Sequence, residues 1–373
     1  MSKSQFDFRQ KIGQLLIVGF DDTAISSRLR SLLTRIQPAG VILFARNIVS
    51  AQQTHKLLKD CQSCVSTPLF SCVDMEGGTV DRLRDVIGPS PSAADVYSTG
   101  NRKLFRKHGA TIGKACRAFG FNTDLAPVVD LPFEQSRSVM ASRVVAADPK
   151  HAAVYAREFL AGLRLQHVLG ALKHFPGLGA AALDTHKELP AVKKSFHQLW
   201  KQDIAPYCLL RRQAPMVLVS HAAYPLVTRD RTPASLSHKW ITKILRKKIG
   251  YRGLVISDDL EMGGVLKAAT VDEAAVGFIR AGGDVGLVCH LEEKIALSYE
   301  ALIHQVEADP RFARRCHDSI VRVLTFKKKW KLPNRVPTPT TLIVRKLSRE
   351  IWEFGEQVRM ASVDHQIFSE ESA

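Results

Sequence analysis

The residues that could do chemistry are concentrated in one stretch, Lys173–His186, which reads KHFPGLGAAALDTH. An apolar lead over Leu169–Leu172 delivers Lys173 and His174, then Pro176, Gly177 and Gly179 bend the chain, and Asp184 and His186 close the segment. Apolar residues that end in charged ones and then Gly or Pro mark a buried parallel strand presenting side chains at its C-terminal end. Asp184 and His186 stand two apart, close enough for the carboxylate to orient the imidazole for proton transfer. A second feature is Asp258, which follows an apolar run and Ser257 and so projects from a strand end as a fixed nucleophile would. Other strand ends also finish in polar groups: Arg46, Asp74, Asp130, His221 and His290.

The elements that must position these residues alternate along the chain. Short apolar runs over Gln14–Phe20, Gly40–Phe44, Leu69–Val73, Thr123–Val129, the Leu169 stretch, Met216–Ser220, Gly253–Ser257 and Asp284–Cys289 are expected to be strands. Between them, helical spacing predicts helices over Ala24–Ile36, Ala51–Cys61, Asn101–Phe119, 150–166, Phe196–Arg212, Trp240–Ile249 and Thr270–Ala281, with another over 292–307. Alternating strands and helices imply a parallel sheet, and eight such units imply a single α/β domain folded as a closed (β/α)8 TIM barrel. Residues 85–100, rich in Gly, Pro and Ser, are expected to form a long loop over the mouth. A helix near 311–329 is expected on the outside. The catalytic domain is therefore drawn at 1–331, followed over 332–373 by a Pro-rich linker, a basic helical tail over about 341–361 and a frayed end.

Active sites of such barrels are built at the C-terminal ends of the strands, where these polar groups converge. Two reaction classes fit. One is a metal-dependent hydrolase using His174, His221, His290 and Asp258; against it, the chain has no HExxH and its histidines come singly from different strands. The other is glycoside cleavage, with a carboxylate nucleophile and an acid supplied by a loop. A catalytically silent glycan-binding barrel is the third reading. A formal net charge of +17 favours polyanions, but no nucleic-acid motif accompanies the basic clusters, which read as solvated helix faces with no nucleic-acid partner. No apolar run is long enough to span a bilayer, and the N-terminus MSKSQFDFRQ lacks the apolar core of a signal peptide, so a cytoplasmic location is expected. Seven irregularly spaced cysteines point to a reducing compartment, and the lone Cys61/Cys64 pair to a helix end.

With these motifs in order, the chain resembles the glycoside hydrolase family 3 β-N-acetylglucosaminidases over roughly residues 8–310. The marker KHFPGxG followed after four residues by D-[ST]-H appears as Lys173–Gly179 and Asp184–His186. The element D-x-E-G-G-x-V-x-R appears as Asp74, Glu76, Gly77, Gly78, Val80 and Arg82, and S-D-D-L-x-M as Ser257–Leu260 with Met262. Arg143–Pro149 and Gly40–Asn47 match further family elements. The resemblance implies that Asp258 is the nucleophile and His186, assisted by Asp184, the general acid/base. It also implies that Asp74, Arg82, Arg143, Lys173 and His174 hold the sugar. It further implies retaining removal of terminal N-acetylglucosamine from a glycan or muropeptide, in cell-wall recycling, by a monomer without metal or organic cofactor. Phosphorolysis, with phosphate in place of water, is the alternative within the class. Thr79 and Leu178 stand where relatives often carry Arg and His, which bears on fine specificity.

Overall fold

A computed structural model describes residues 11–133, 140–179, 189–332 and 337–370. Its centre is a closed barrel of eight parallel strands in the order β1-β10-β9-β8-β7-β6-β3-β2. These are β1 (Leu16–Val18), β2 (Gly40–Ile42), β3 (Phe70–Val73), β6 (Thr123–Asp124), β7 (Leu169–Phe175), β8 (Met216–Val219), β9 (Leu254–Asp259) and β10 (Val285–Val288). The remaining two, β4 (Met75–Gly77) and β5 (Val80–Asp81), form a separate antiparallel hairpin just after β3. The eight expected barrel strands are all present. Their interior is filled by Ile17, Ile42, Phe70, Leu169, Met216, Leu218, Ile256 and Leu287, so the barrel is a packed core and not a pore.

Helices ring the barrel because each buries an apolar stripe against the strands. Ser26 and Ser50 cap Ser27–Ile36 and Ala51–Ser63 by accepting from Leu29 N and Gln53 N, and Asp148 caps Pro149–Leu165 from both Lys150 N and His151 N. Cys64 ends the Ala51–Ser63 helix, as its place in the sequence suggested, and all seven cysteines are free thiols.

Three expectations need correction. Residues 85–100 are not one long loop: Arg84–Ile87 and Ala93–Ser98 are helical, the second closed by a capping box between Ser92 and Asp95. Phe196–Arg212 is two helices, Phe196–Lys201 and Ala205–Leu210, because Pro206 cannot donate to a helix running through it and instead opens the second. The tail helix runs over Thr341–Glu370, well past the expected end and through most of the stretch expected to fray. It does not hang free. Leu347, Ile351, Phe354 and Val358 share one face and are buried, and Glu350 meets Lys114 of the Arg102–Phe119 helix at 2.9 Å.

Candidate active site

Parallel strands bring all their C-terminal ends to one rim, and β3 and β9 occupy opposite positions in the ring of eight. Asp74, just beyond β3, therefore faces across the mouth from Asp258 near the end of β9, with β7 standing between them.

On the β3–β7 side the rim carries a continuous buried chain of charges. Lys173 donates to Asp74 Oδ1 at 2.7 Å and meets Glu76 Oε1 at 2.6 Å. Arg143 grips Glu76 with two parallel bonds, Nε to Oε2 at 2.7 Å and Nη2 to Oε1 at 2.8 Å. The same Nη2 lies 3.4 Å from His174 Nε2, and His174 Nδ1 is 2.6 Å from Asp130 Oδ2. Arginine has no acceptor to offer, so Nε2 of His174 accepts and its proton sits on Nδ1, donated to Asp130. Asp130 Oδ1 is held in turn by the Leu178 amide at 2.7 Å, which ties the start of the loop after β7 to the network.

Burial alone would raise Glu76, but Lys173 and Arg143 overcome it and hold its carboxyl down to about 2. Burial likewise works against the charge of Lys173, and Asp74 and Glu76 prevail and raise it. Arg143 is raised against its burial, with Glu76 as the largest favourable partner. Glu76 is held in place by a sharp hairpin turn: Gly77 and Gly78 have φ of +80° and +60°, and a Cβ on Gly77 would come 2.1 Å from the Pro91 carbonyl oxygen.

The opposite side is built around β8, β9 and β10. Asp258 is half-buried, and its Oδ1 accepts from the Asp259 amide at 3.0 Å. His221, buried beyond β8, meets the Asp259 carbonyl oxygen through Nε2 at 2.8 Å and Ser235 Oγ through Nδ1 at 2.7 Å. A carbonyl only accepts, so Nε2 donates and Ser235 donates to Nδ1. Burial pushes His221 down, against the pull of Asp258 nearby. His290 is raised, chiefly by its bond to Asp259 Oδ2 at 3.0 Å, and stacks on Phe44. Arg46 lies over the same Phe44 ring and bonds the Cys289 carbonyl oxygen at 2.8 Å, closing the rim between β2 and β10.

Of the residues expected at the site, Asp74, Arg143, Lys173 and His174 are joined in one network, and Asp258 stands opposite. Arg82 is not in that network. Its guanidinium lies 5.9 Å from the Phe44 ring centroid, and its Nε is buried without a hydrogen-bond partner among the described residues. Asp184 and His186 lie outside the described residues. Of the histidines grouped as metal ligands, His174 pairs with Asp130 while His221 and His290 bond the carbonyl and carboxylate of Asp259, and among the described residues no cluster of His, Cys, Asp or Glu could hold a metal ion. Glu76 was missed, although it anchors both cations; its signal was an acidic residue inside a buried Asp74–Gly78 run. Leu178 and Thr79, the two departures, lie beside the network, Thr79 bonded to Ser142 at 2.9 Å.

Residues 7–326 match the Glycosyl hydrolase family 3 N terminal domain. A Beta-hexosaminidase of Stenotrophomonas maltophilia (strain R551-3) is 33% identical over 285 residues, covering 74% of this chain and 84% of that protein. One of Pseudomonas aeruginosa (strain LESB58) is 33% identical over 291 residues, covering 77% and 86%. Among solved structures, a glycoside hydrolase family 3 beta-N-acetylglucosaminidase from Paenibacillus sp. str. FPU-7 superposes with a TM-score of 0.85 at 30% identity, covering 93% of this chain and 68% of that one. A Beta-N-acetylhexosaminidase from Beutenbergia cavernae gives 0.78 at 26% identity, covering 86% and 98%. With the barrel and its charged rim, these matches place the chain in glycosyl hydrolase family 3: it is a glycoside hydrolase.

Proposed function

We propose that the chain is a retaining exo-β-N-acetylhexosaminidase that removes terminal β-linked N-acetylglucosamine. The observation that carries this reading is the placement of Asp258 opposite a preorganised network of Asp74, Lys173, Glu76, Arg143 and His174. A sugar seated in the mouth would offer its hydroxyls to Asp74, Arg82, Lys173, Arg143 and His174. The anomeric carbon would then face Asp258. The Asp258 carboxylate attacks it, the bond to the leaving oxygen breaks, and His186 donates a proton to that oxygen. In the second half, His186 takes a proton from water as the water attacks, and Asp258 is released as a carboxylate. Asp184 would fix the His186 tautomer and keep the ring basic enough for both steps. His221 would hold the Asp258–Asp259 end of β9 through the Asp259 carbonyl.

The similarity to β-hexosaminidases supports the hexosaminide specificity, and we further propose a muropeptide as substrate, within cytoplasmic cell-wall recycling, by a monomeric protein without a cofactor. We draw the catalytic domain at 1–331, with 332–373 as its appended tail. The test is release of 4-nitrophenol from its β-N-acetylglucosaminide. Asp258→Ala is expected to abolish it, and near-wild-type turnover would remove Asp258 as nucleophile. Replacing His186 should slow substrates with poor leaving groups far more than this activated glycoside. Running the same assay with and without phosphate, and analysing for the sugar 1-phosphate, separates hydrolysis from phosphorolysis.

A further inference from the structure

Charge is segregated around this barrel. Between residues 189 and 252 the chain carries thirteen Lys and Arg against two Asp, a net +11 of its total +17. The adjoining segment 271–308 carries two Lys and Arg against seven Asp and Glu, a net −5. In the sequence the cations looked scattered; the fold collects them. Phe196–Lys201 and Ala205–Leu210 cover the step from β7 to β8, and Lys239–Lys248 covers the next step, from β8 to β9. The two coverings touch, since Lys248 Nζ lies 4.9 Å from the Trp200 ring centroid. At the rim they are joined by backbone bonds, Val192 N to the Ala223 carbonyl at 2.8 Å and Ala234 N to the Ala222 carbonyl at 2.9 Å.

Of the thirteen cations, Lys194 pairs with the buried Asp203 and Arg246 with the buried Asp284. The other eleven are exposed, and none of them has a carboxylate partner among the described residues. Such like charge on one face is repulsive and raises the free energy of the isolated molecule, so an external anion gains from it. Two features say what kind. Lys239, Lys243 and Lys247 recur every four residues down one helix, while Arg211 and Arg212 follow the neighbouring one, so the charge spreads over a broad face. Leu226 (63% exposed) precedes Arg229 and Arg231, and Leu209 (43% exposed) precedes Arg211 and Arg212. Apolar side chains protruding among arginines gain nothing from a phosphodiester backbone, but they shed water when they enter a headgroup layer. Trp200 is half-buried and already covered by Lys248, which removes it as a stacking platform for a base.

We propose that this sector is a docking face for an anionic phospholipid surface. The face runs down the side of the barrel, so a docked molecule lies with its barrel axis along the surface and its catalytic mouth open to solvent. The acidic 271–308 sector borders this face on one side, where Thr242 Oγ1 donates to the Ala281 carbonyl oxygen at 2.6 Å, and bounds it there.

The full-length protein is sedimented with vesicles of phosphatidylcholine, alone or mixed in equal parts with phosphatidylglycerol. Binding is expected only to the mixed vesicles, and is lost at about 0.5 M salt as screening shortens to a few ångströms. The variant Arg211→Glu/Arg212→Glu/Lys243→Glu/Lys247→Glu should reduce partitioning by about a thousandfold or more. A reference variant, Lys328→Glu/Lys329→Glu/Arg345→Glu/Lys346→Glu, makes the same change in net charge elsewhere and should retain most of the binding. Leu226→Ser should weaken binding severalfold without altering its salt dependence. Turnover of 4-nitrophenyl β-N-acetylglucosaminide should be unchanged in all of them, which certifies folding and keeps this result separate from the glycosidase reading. Equal losses in the two charge variants, or binding to neutral vesicles alone, would overturn the proposal. So would a single-stranded oligonucleotide that displaces the protein from vesicles and loses its own binding in the first variant, since that assigns the face to nucleic acid.

Discussion

At the scale of single residues, Glu76 is the group on which the charge network on the β3–β7 side of the rim depends. It is buried and bonded to both Lys173 and Arg143, so its loss leaves Lys173 with Asp74 and leaves Arg143 with no carboxylate bonded to it among the described residues. Removing one partner of a buried pair costs about 3–5 kcal/mol. The titration leads to the same size. Glu76 lies near 4.5 when free and at about 2 in the fold, and a depression of that extent corresponds to roughly 3 kcal/mol. A depressed carboxyl gives its full stabilisation above its unfolded value and loses it as pH falls through its folded one. Glu76→Gln is therefore expected to be about 3 kcal/mol less stable than wild type above pH 4.5. The two proteins should converge as pH falls toward 2, which denaturant titrations across that window will check. A constant difference at every pH would mean that packing, not charge, is what Glu76 contributes. If the groups it loosens hold sugar hydroxyls as proposed, away from the reacting bond, the same variant should raise KM more than it lowers kcat.

At the scale of elements, the tail helix Thr341–Glu370 acts on the site from behind. Phe354 packs against His108 with ring centroids 5.8 Å apart, and His108 Nε2 is the neighbour a Cβ on Gly77 would meet at 3.1 Å. Contact thus passes from the tail through the Arg102–Phe119 helix to the hairpin that carries Glu76. Phe354→Ala opens a cavity in this seam and should cost about 3–5 kcal/mol. Calorimetry should show a lower unfolding temperature, and activity at ambient temperature should survive; unchanged melting would mean that the helix merely rests on the barrel. This coupling was not legible in the sequence, because spacing identifies an amphipathic helix but not the surface it covers. The barrel was legible, since eight apolar runs, seven of them ending in Arg46, Asp74, Asp130, His174, His221, Asp258 and His290, leave few other folds. So was the grouping of Asp74, Arg143, Lys173 and His174. The bonding of Glu76 was not, because it depends on a turn at Gly77–Gly78 and on Arg143 arriving from a distant loop. The break at Pro206 was in plain view, but helical spacing on either side of it suggested continuity.

At the scale of the whole molecule, the two ends of the barrel answer to different demands. The rim spends stability on paired charges, while the opposite end is closed by the Pro310–Trp330 helix, whose Phe326, Trp330 and Val323 join the interior cluster. One residue breaks that apolar seal. Lys327 is 4% exposed, donates to Gln14 Oε1 at 2.8 Å and lies 5.0 Å from the Phe70 ring centroid. Burial pulls its ammonium down to about 7 from 10.5. Between those values the unfolded chain binds a proton that the folded one does not, so stability rises with pH across the window. Below pH 7 the folded state bears the full cost of a buried charge, about 5 kcal/mol relative to a lysine left in water. Lys327→Met keeps the volume and removes the charge, and it should stabilise the protein by several kcal/mol at pH 6. Its advantage should shrink steadily as pH rises from 7 toward 10.5, and be gone well above 10.5, where the lysine is neutral in both states. Thermal unfolding of the two proteins from pH 6 to 10 measures this directly. A gap that stays constant would show that Lys327 keeps its proton throughout, held by Gln14 and the face of Phe70 against the cost of burial.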